Sequence, residues 1–296
     1  MIGVDYASVD GNERPDIVKV KTAIGCAFAI IRGSYKTWTD PTAKRDTAAW
    51  RAANIPVGVY AFPDMTKGGA TPADQIQALA RSGAVMDGDI PPTLDVEFPG
   101  GIARTGRTRA ELLAWILEAV MEMRRVFGCS PMLYTSARVW DGEDADALDA
   151  DHNDFGTLNP TLAECPLWLA RYPFKTGIQA IGDTADERKL VESLPWPPVP
   201  KAWGDQGNVW IHQYQGDAIK LNGFSATVDL NRFRMLRHGD TGERVCWLKR
   251  RLCLAEGMPG VFDDALDDAV REFQRREGLV SDGVVGPRTF ARIAWL

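Results

Sequence analysis

The chain has 296 residues, 45% of them hydrophobic and 25% charged, which is an ordinary composition for a globular protein of about two domains. With 34 basic and 40 acidic residues the formal net charge is −6, and this disfavours nucleic acid as a partner because phosphate contacts need clustered Lys and Arg. No stretch approaches the roughly 18 uninterrupted apolar residues of a membrane-spanning helix. We therefore expect no membrane insertion, and our working expectation is a monomer.

The N-terminus and the cysteines predict the compartment. Residues 1–16 lack the basic start and apolar run of a secretory signal. The five cysteines form no CxxC motif, and Cys246 and Cys253 lie on one predicted helix at a separation of roughly 10 Å, too far for a disulfide. These features predict a reduced, cytoplasmic compartment. The three histidines form no HExxH or His/Cys grouping, so we expect neither a metal nor another cofactor.

Short apolar runs alternate with helical patterns over the first two-thirds of the chain. Helical periodicity is clearest over Pro41–Asn54, Thr71–Met86 and Arg107–Phe127. Alternation with about eight strands predicts an α/β fold with parallel pairing, closed into a TIM-like β/α barrel whose helices are reduced in the second half. The candidate strands are Ile2–Tyr6, Ala27–Arg32, Val57–Phe62, Pro92–Glu97, Pro131–Thr135, Leu167–Arg171, Val209–Tyr214 and Ala226–Leu230.

The pattern changes near Arg237 to short, strongly charged helices. They are predicted over Thr241–Ala255, Asp263–Glu277 and Pro287–Trp295. We therefore predict two domains, a barrel over residues 1–236 and a small all-α module of three helices over residues 237–296. No flexible linker separates them, so we expect close packing, with Leu236 a candidate to pack across the join.

The segment PPTLDVEFPG at residues 91–100 is the most informative in the chain. On a strand, alternate side chains share a face, so Asp95 and Glu97 point the same way, at the carboxyl end where active sites of such barrels are built. Two carboxyl groups in a partly desolvated mouth repel each other, which raises one pKa and leaves a protonated acid beside an ionised partner. Glycosidic cleavage requires that division of roles. The alternative is a solvated or metal-binding pair without catalytic function.

Two further acids strengthen the catalytic interpretation. Asp5 ends the first candidate strand and Asp229 lies in the last, and these strands are neighbours in a closed barrel. Burying an unpaired carboxylate costs several kcal/mol, so acids in apolar strands need a reason. We expect both to converge on the mouth that holds Asp95 and Glu97. For Asp229, a structural hydrogen-bond network that closes the barrel is an almost equal alternative.

Eight motifs in order over residues 1–235 resemble glycoside hydrolase family 25. They are GVDYAS, FAIIRGSYK, NIPVGVYAF, PTLDVE, SPMLYTS, PLWLARY, IHQYQG and VDLNRF. The resemblance implies an irregular β/α barrel and a lysozyme-like muramidase, of the kind common among phage endolysins, that cleaves the β-1,4 bond from N-acetylmuramic acid to N-acetylglucosamine. It also implies that Glu97 is the general acid, that Asp95 stabilises the transition state or orients the N-acetyl group, and that Asp5 and Asp229 support the site.

The chain departs from the family pattern at two places. Arg32–Lys36 replaces a common KATEG, and YAF at residues 60–62 replaces YHF. Neither change removes a carboxyl group from the proposed centre, so they bear on how the sugar is held.

Aromatic residues near the strand ends of these motifs are candidates to stack on sugar rings. Gln213 is a candidate to bind an N-acetyl group or hydroxyl, whereas His212 alternates with it on the strand and is interpreted as structural. Core packing is the alternative for the aromatics and the favoured one for Phe62. The substrate-binding candidates are Tyr60, Phe62, Tyr134, Trp168, Tyr172 and Gln213.

The last 60 residues resemble the helical peptidoglycan-binding module that accompanies many wall hydrolases. GDTGERVCWLKRRL and DDAVREFQRREGLVSDGVVGPRTF carry the resemblance. The first turn of the internal repeat departs from the usual DGxFG, so the second turn is the candidate wall-binding surface. The alternative is a module that only stabilises the barrel. The candidate surface comprises Asp282, Gly283, Gly286, Arg288 and Thr289.

The sequence therefore predicts a peptidoglycan hydrolase, an endolysin held in the host cytoplasm until it is released to the cell wall. Two alternatives stay open. One is a non-catalytic wall-binding or virion structural protein, which the intact set of four acids disfavours. The other is a hydrolase of another N-acetylated glycan such as chitin, which the C-terminal module disfavours.

Overall fold

A computed structural model describes residues 1–12, 14–141, 148, 158–182, 184–254 and 260–296. Ala255, the predicted end of the first module helix, lies outside the described residues. Within these ranges, no helix is long and apolar enough to cross a membrane.

Eight strands close into a barrel, as the strand–helix alternation predicts. Their order around the barrel is β1, β9, β8, β7, β6, β5, β4 and β2, and β2 pairs with β1 to close the ring. A two-residue strand, β3, forms a hairpin with β2 at the rim. The strands are β1 (Ile2–Tyr6), β2 (Phe28–Tyr35), β3 (Trp38–Thr39), β4 (Val57–Phe62), β5 (Thr93–Asp95), β6 (Met132–Thr135), β7 (Leu167–Ala170), β8 (Val209–Ala218) and β9 (Val228–Phe233).

The expectation of parallel pairing is wrong for the last strand. β9 runs antiparallel to both of its neighbours, β8 and β1. The physical reason is the short connection over residues 219–227, because a parallel crossover needs a dozen or more residues and usually a helix. The remaining pairings within the closed ring are parallel.

Helices surround the barrel and then form the C-terminal module. The three predicted barrel helices are present, as is the three-helix module, whereas α1, α5, α6 and α7 are not among the predicted elements. The barrel helices are α1 (Ile17–Ile24), α2 (Ala43–Ala52), α3 (Pro72–Arg81), α4 (Arg109–Phe127), α5 (Ala137–Asp141), α6 (Pro160–Ala163) and α7 (Ala185–Ser193). The module helices are α8 (Glu243–Arg251), α9 (Asp264–Arg276) and α10 (Pro287–Ile293).

The longest helix, α4, shows why the sequence folds locally as it does. Thr108 and Glu111 form a reciprocal capping box at its start, and Gly128, at a φ of 76°, ends it in the left-handed conformation. Leu112 and Ile116 belong to the stripe that it buries against the outside of the barrel. The first layer of the core is therefore the apolar contact between strands and surrounding helices.

A second hydrophobic cluster joins the barrel to the module. Trp210 of β8 lies 4.4 Å from the ring of Phe290 in α10 and 5.3 Å from that of Trp247 in α8, between ring centroids. Leu236 is fully buried in this cluster and exchanges two backbone hydrogen bonds with Val285, at 3.2 and 2.8 Å. The expected contact of Leu236 across the join is therefore present.

Hydrogen bonds identify the end of the barrel that the module covers. The indole Nε1 of Trp295 donates to the carbonyl of Asp89 at 2.7 Å, in the loop before β5. Arg288 donates to the side chain of Asn54 at 2.6 Å, in the loop before β4. Both loops lie at the N-terminal ends of the parallel strands, so the module packs on the base of the barrel, at the end opposite the mouth.

Candidate active site

Strand β5 brings the predicted acid pair to the mouth. Asp95 is its last residue, and the backbone N–H of Val96 still donates to the carbonyl of Tyr134 at 2.8 Å, so the chain stays extended toward Glu97. Val96 is fully buried in the outer layer of the core. The alternation of side chains then directs Asp95 and Glu97 to the interior side. Asp95 is 6% exposed, and Glu97 is half-buried and more accessible.

Asp5 and Asp229 also reach this mouth, from the two strands that close the barrel. They are directly paired across the antiparallel ladder of β1 and β9. Gln213 joins them, because its Nε2 donates to Asp5 Oδ1 at 2.8 Å and to Asp229 Oδ2 at 3.0 Å. A second oxygen of Asp229 accepts the backbone N–H of Asp217 at 2.6 Å. The convergence of the terminal strands therefore places these acids in one hydrogen-bonded group.

Burial raises the pKa values of all four carboxyl groups, and repulsion from neighbouring acids adds to the effect for Asp5, Asp95 and Asp229. Burial raises the pKa of Asp5 to about 7, against the hydrogen bonds from Asn231 and Gln213. Burial, followed by the negative charge of Glu97, raises the pKa of Asp95 well above its usual range.

The other two acids follow the same physical rule. Burial and the nearby Asp5 raise the pKa of Asp229 well above its ordinary value. Burial also raises the pKa of Glu97, and a hydrogen bond with Tyr134 partly opposes it. Four desolvated carboxyl groups cannot all be ionised at neutral pH, so the mouth retains protons. It can therefore hold a protonated acid beside ionised partners.

Gln213 lies beneath the acids and is 2% exposed. Its Oε1 accepts hydrogen bonds from the hydroxyl groups of Tyr134 and Tyr172, at 2.6 and 2.5 Å. Its Nε2 is occupied by Asp5 and Asp229. Both amide protons and the amide oxygen are thus engaged within the protein, so the geometry supports a positioning role rather than the predicted contact with sugar.

Aromatic rings lie beside the acids, but Trp168 and Tyr134, at 1% and 5% exposure, have no free ring face for the predicted stacking on sugar. Trp168 is fully buried, and its ring packs edge-on against Tyr134 at 4.5 Å and against Tyr60 at 6.4 Å, between ring centroids. These two tyrosines lie near the acids. Burial raises the pKa values of both hydroxyl groups, and the negative charges of the acids raise them further. Tyr172 is 43% exposed and is the most accessible ring of the set.

Phe62 is the last residue of β4. It is half-buried and stacks on Tyr35 with 5.6 Å between ring centroids, so core packing does not account for the whole of its surface. Tyr35 is 40% exposed and also has the ammonium group of Lys36 5.3 Å from its ring centroid. This pair stands where the sequence departs from the family pattern.

Asn231 is a site residue that the sequence reasoning missed. It is fully buried, donates from Nδ2 to Asp5 Oδ1 at 2.6 Å, and accepts the indole N–H of Trp168 at 2.8 Å. The signal was present, because Asn231 follows Asp229 by two positions on one strand and must share its face.

His212 faces away from the acids, as its alternation with Gln213 predicts. It is 1% exposed, and its Nδ1 accepts a hydrogen bond from Arg232 Nε at 3.0 Å. Its Nε2 lies 2.8 Å from the carbonyl oxygen of Arg171. Burial lowers its pKa to about 4, so the ring is neutral and joins strands on the outer side of the barrel.

The predicted wall-binding turn of the module is largely structural. Gly283, at a φ of 72°, is buried and donates to Gln274 Oε1 at 2.9 Å, and Thr289 is 4% exposed and accepts from Gln274 Nε2 at 3.1 Å. Gly286 precedes α10 as its N-cap. Arg288 is bonded to the barrel, which leaves Asp282 as the exposed member without a barrel contact. The structure therefore does not gather the five residues into one accessible surface.

Sequence comparisons match two segments of the chain to known families. Residues 4–186 match the glycosyl hydrolases family 25, and residues 241–293 match a peptidoglycan binding domain. The first match spans most of the barrel, and the second spans the three module helices. A search of curated protein sequences gives no significant match.

Solved structures share the fold of the barrel. The bacterial lysozyme from Streptomyces coelicolor is 20% identical over 79% of this chain and 92% of its own, with a TM-score of 0.55. A family GH25 lysozyme from Aspergillus fumigatus is 22% identical over 79% and 93%, also at 0.55. The catalytic domain of an endolysin from a bacteriophage of Listeria monocytogenes is 15% identical over 79% and 94%, at 0.50. At sequence identities of 15–22%, these structures show that the chain shares their fold.

Proposed function

The chain belongs to glycosyl hydrolase family 25 and is a glycoside hydrolase that acts on peptidoglycan, and on that premise we propose that it is an N-acetylmuramidase. The bond that it cleaves is the β-1,4 link from N-acetylmuramic acid to N-acetylglucosamine. The observation that carries the proposal is the convergence of Asp5, Asp95, Glu97 and Asp229 at one end of the barrel.

Glu97 is the general acid in this proposal. It is the acid of the central pair that substrate can reach, whereas Asp95 is almost fully buried. Its raised pKa favours the protonated form, and that proton passes to the glycosidic oxygen as the bond to the sugar breaks.

Asp95 supplies the electrostatic part of the mechanism. One of its oxygens, Oδ1, is buried without a hydrogen-bond partner among the described residues. A positive charge beside this carboxyl group lowers its pKa and favours its ionised form, and such a charge develops on the sugar in the transition state. Asp5 and Asp229 add negative charge beside Asp95. Hydrogen bonds from Gln213 and Asn231 fix the orientation of these two acids.

The accessible aromatic rings hold the sugar. Tyr172 and Phe62 present ring faces at the rim, and Tyr60 lies closer to the acids. Tyr134 and Trp168 support the rings and acids from below. In this proposal the rims of β2 and β4, where Tyr35 stacks on Phe62, determine how an extended glycan strand is gripped.

The proposal assigns a separate role to each of two domains, and the two family matches support that assignment. Residues 1–236 form the catalytic domain and residues 237–296 the wall-binding module. A role as a phage endolysin, held in the host cytoplasm until release to the cell wall, completes the proposal. It is supported by the phage endolysin domain among the proteins that share this fold.

The test is the identity of the new reducing ends. Purified cell wall is digested with the full chain, the released ends are reduced with borohydride, and the labelled sugar is identified by mass spectrometry. We expect reduced N-acetylmuramic acid. Reduced N-acetylglucosamine would assign a different glycosidase, and no released ends at all would contradict a hydrolase.

A further inference from the structure

A cleft of about 400 Å³ lies between the base of the barrel and the module, at the opposite end from the acid mouth. Its walls are the end of α4, the turn at residues 128–130 and the end of α8. Its volume falls within the usual range of small-ligand pockets, about 300–1,000 Å³. Arginines dominate its polar lining.

Arg251 is the unpaired cation of this cleft. It is half-buried, and its guanidinium carbon lies 5.4 Å from the ring centroid of Trp247. No hydrogen-bond acceptor in the described part of the chain reaches it. Burial lowers its pKa, and the positive charge of Arg124 on the facing wall lowers it further. The barrel and the module thus present two cations to the same space.

Arg124 supplies the barrel side of the site. Its Nη2 donates to Ser130 Oγ at 2.9 Å and to the carbonyl of Thr161 at 3.1 Å, which fixes the guanidinium plane. Its Nε is buried without a partner among the described residues. The nearest acid, Glu164, stands 3.5 Å away and is 60% exposed, so it neutralises this charge only in part.

The remaining lining adds donors and no competing anion. Trp247 is 2% exposed, and its indole N–H is another buried donor that has no acceptor within the described ranges. Burial raises the pKa of the Cys129 thiol to about 12, so that group is neutral. Arg250 is already paired with Glu243 at 2.5 Å. Apart from Glu164, the free hydrogen-bonding side chains of the cleft are therefore donors and cations.

We propose that this cleft binds a carboxylate of the cell wall, namely a free acid group of the peptides attached to the glycan, between Arg124 and Arg251. Planar guanidinium groups match a planar carboxylate in geometry and charge. The bound group would bridge the barrel and the module, and it would anchor the chain by its base while the mouth stays free for glycan. The inference rests on the proposed action on peptidoglycan.

The test is calorimetric titration of the full chain with a sugar-free stem peptide, which avoids the catalytic mouth. The peptide is used with free carboxylates and with the same groups amidated, and inorganic phosphate is titrated separately. Three variants are compared with the wild type. Arg251→Gln removes the unpaired cation, Glu164→Gln removes the competing acid, and Arg275→Gln removes a surface cation of α9 as the matched control.

We expect Arg251→Gln to weaken binding of the free-acid peptide about tenfold, the usual worth of a hydrogen bond to a charged group. Glu164→Gln should strengthen it about threefold, as expected for an exposed ion pair, and Arg275→Gln should leave it unchanged. If Arg251→Gln also lowers the melting temperature, its weaker binding is ambiguous. The stronger binding expected of Glu164→Gln then still tests the inference, because destabilisation would not strengthen binding.

Three results would overturn the inference. They are no binding by the wild type, equal binding by all variants, and binding of the amidated peptide or of phosphate as tight as that of the free-acid peptide. If the wild type releases reducing ends from wall yet binds no peptide, the inference fails and the muramidase proposal stands. If it releases no ends, the muramidase proposal fails whatever the peptide does.

Discussion

The two ends of the barrel use burial in opposite ways. At the mouth, burial raises the pKa values of four acids, so that protons are retained near neutral pH. At the base, burial lowers the pKa of Arg244 to about 9, which still leaves that side chain charged. Desolvation costs stability at both ends. Of the groups compared, the carboxyl groups of the mouth, and not Arg244, can exchange protons near neutral pH.

Packing differs between the ends as well. The base is filled by an aromatic cluster in which Trp210, Trp247 and Phe290 lie within 5.6 Å of one another, between ring centroids. The mouth instead contains an acid network held by the amides of Gln213 and Asn231. The base thus supplies stability, whereas the mouth, where we propose that the chemistry takes place, buries acids at the expense of stability. Each of the following predictions tests one side of that division.

The largest effect is expected at the base. Trp247→Ala removes a 2% exposed indole from the shared cluster, so the free energy of unfolding of the whole chain should fall by about 3–5 kcal/mol. Urea denaturation measures it, and Val280→Ala, at a side chain that is 79% exposed, is the control. A loss confined to the module, with the barrel signal unchanged, would show that the two parts are energetically independent.

A smaller, pH-dependent effect of opposite sign is expected at the mouth. Both donors to Asp5 use Oδ1, so Asp5→Asn retains the two hydrogen bonds and removes the charge. The folded-state pKa of Asp5 is about 7 against an ordinary 3.8. The stability that Asp5 contributes is therefore fully present below pH 4 and is lost as the pH rises through 7.

The Asn variant should consequently match the wild type near pH 4 and exceed it near pH 8 by a margin on the order of 2–4 kcal/mol. Unfolding in urea at several pH values measures the margin. Asp268→Asn, at an exposed acid, should show no such trend. A margin that is constant across pH would contradict the raised pKa.

The smallest effect concerns Arg288, which the sequence assigns to the wall-binding surface and the structure bonds to Asn54. Arg288→Ala should lower the free energy of unfolding by about 1 kcal/mol, the usual net worth of such a hydrogen bond. Its binding to insoluble wall should be unchanged, with Arg275→Ala as the control for lost charge. If the free energy of unfolding is unchanged and the variant binds insoluble wall severalfold more weakly, Arg288 belongs to the wall-binding surface.

The sequence predicts most of the barrel because its strands carry their own signals. Ile2–Tyr6 and Val57–Phe62 are predicted to the residue, since apolar runs bounded by turns are local features. The antiparallel β9 is missed because strand direction depends on the length of a connection and not on composition. Helix α1 is missed because it is short and rich in β-branched residues, and its start depends on the cap formed by Asp16.

The site shows the same limit. The positions of Asp95 and Glu97 follow from side-chain alternation, which any strand obeys. The saturation of Gln213 does not, because it depends on four partners from separate parts of the chain. The burial of Gly283 and Thr289 likewise follows from the fold of the module around Gln274, which no local pattern reveals.

The central claim is that Glu97 donates the proton to the leaving sugar, and one comparison tests it most directly. Glu97→Gln is assayed on wall and on an activated aryl glycoside whose dinitrophenolate leaving group needs no proton. We predict a loss of about 10²–10⁴-fold on wall and a near-native rate on the activated substrate. An equal loss on both substrates would show that Glu97 acts in some other way than as the general acid.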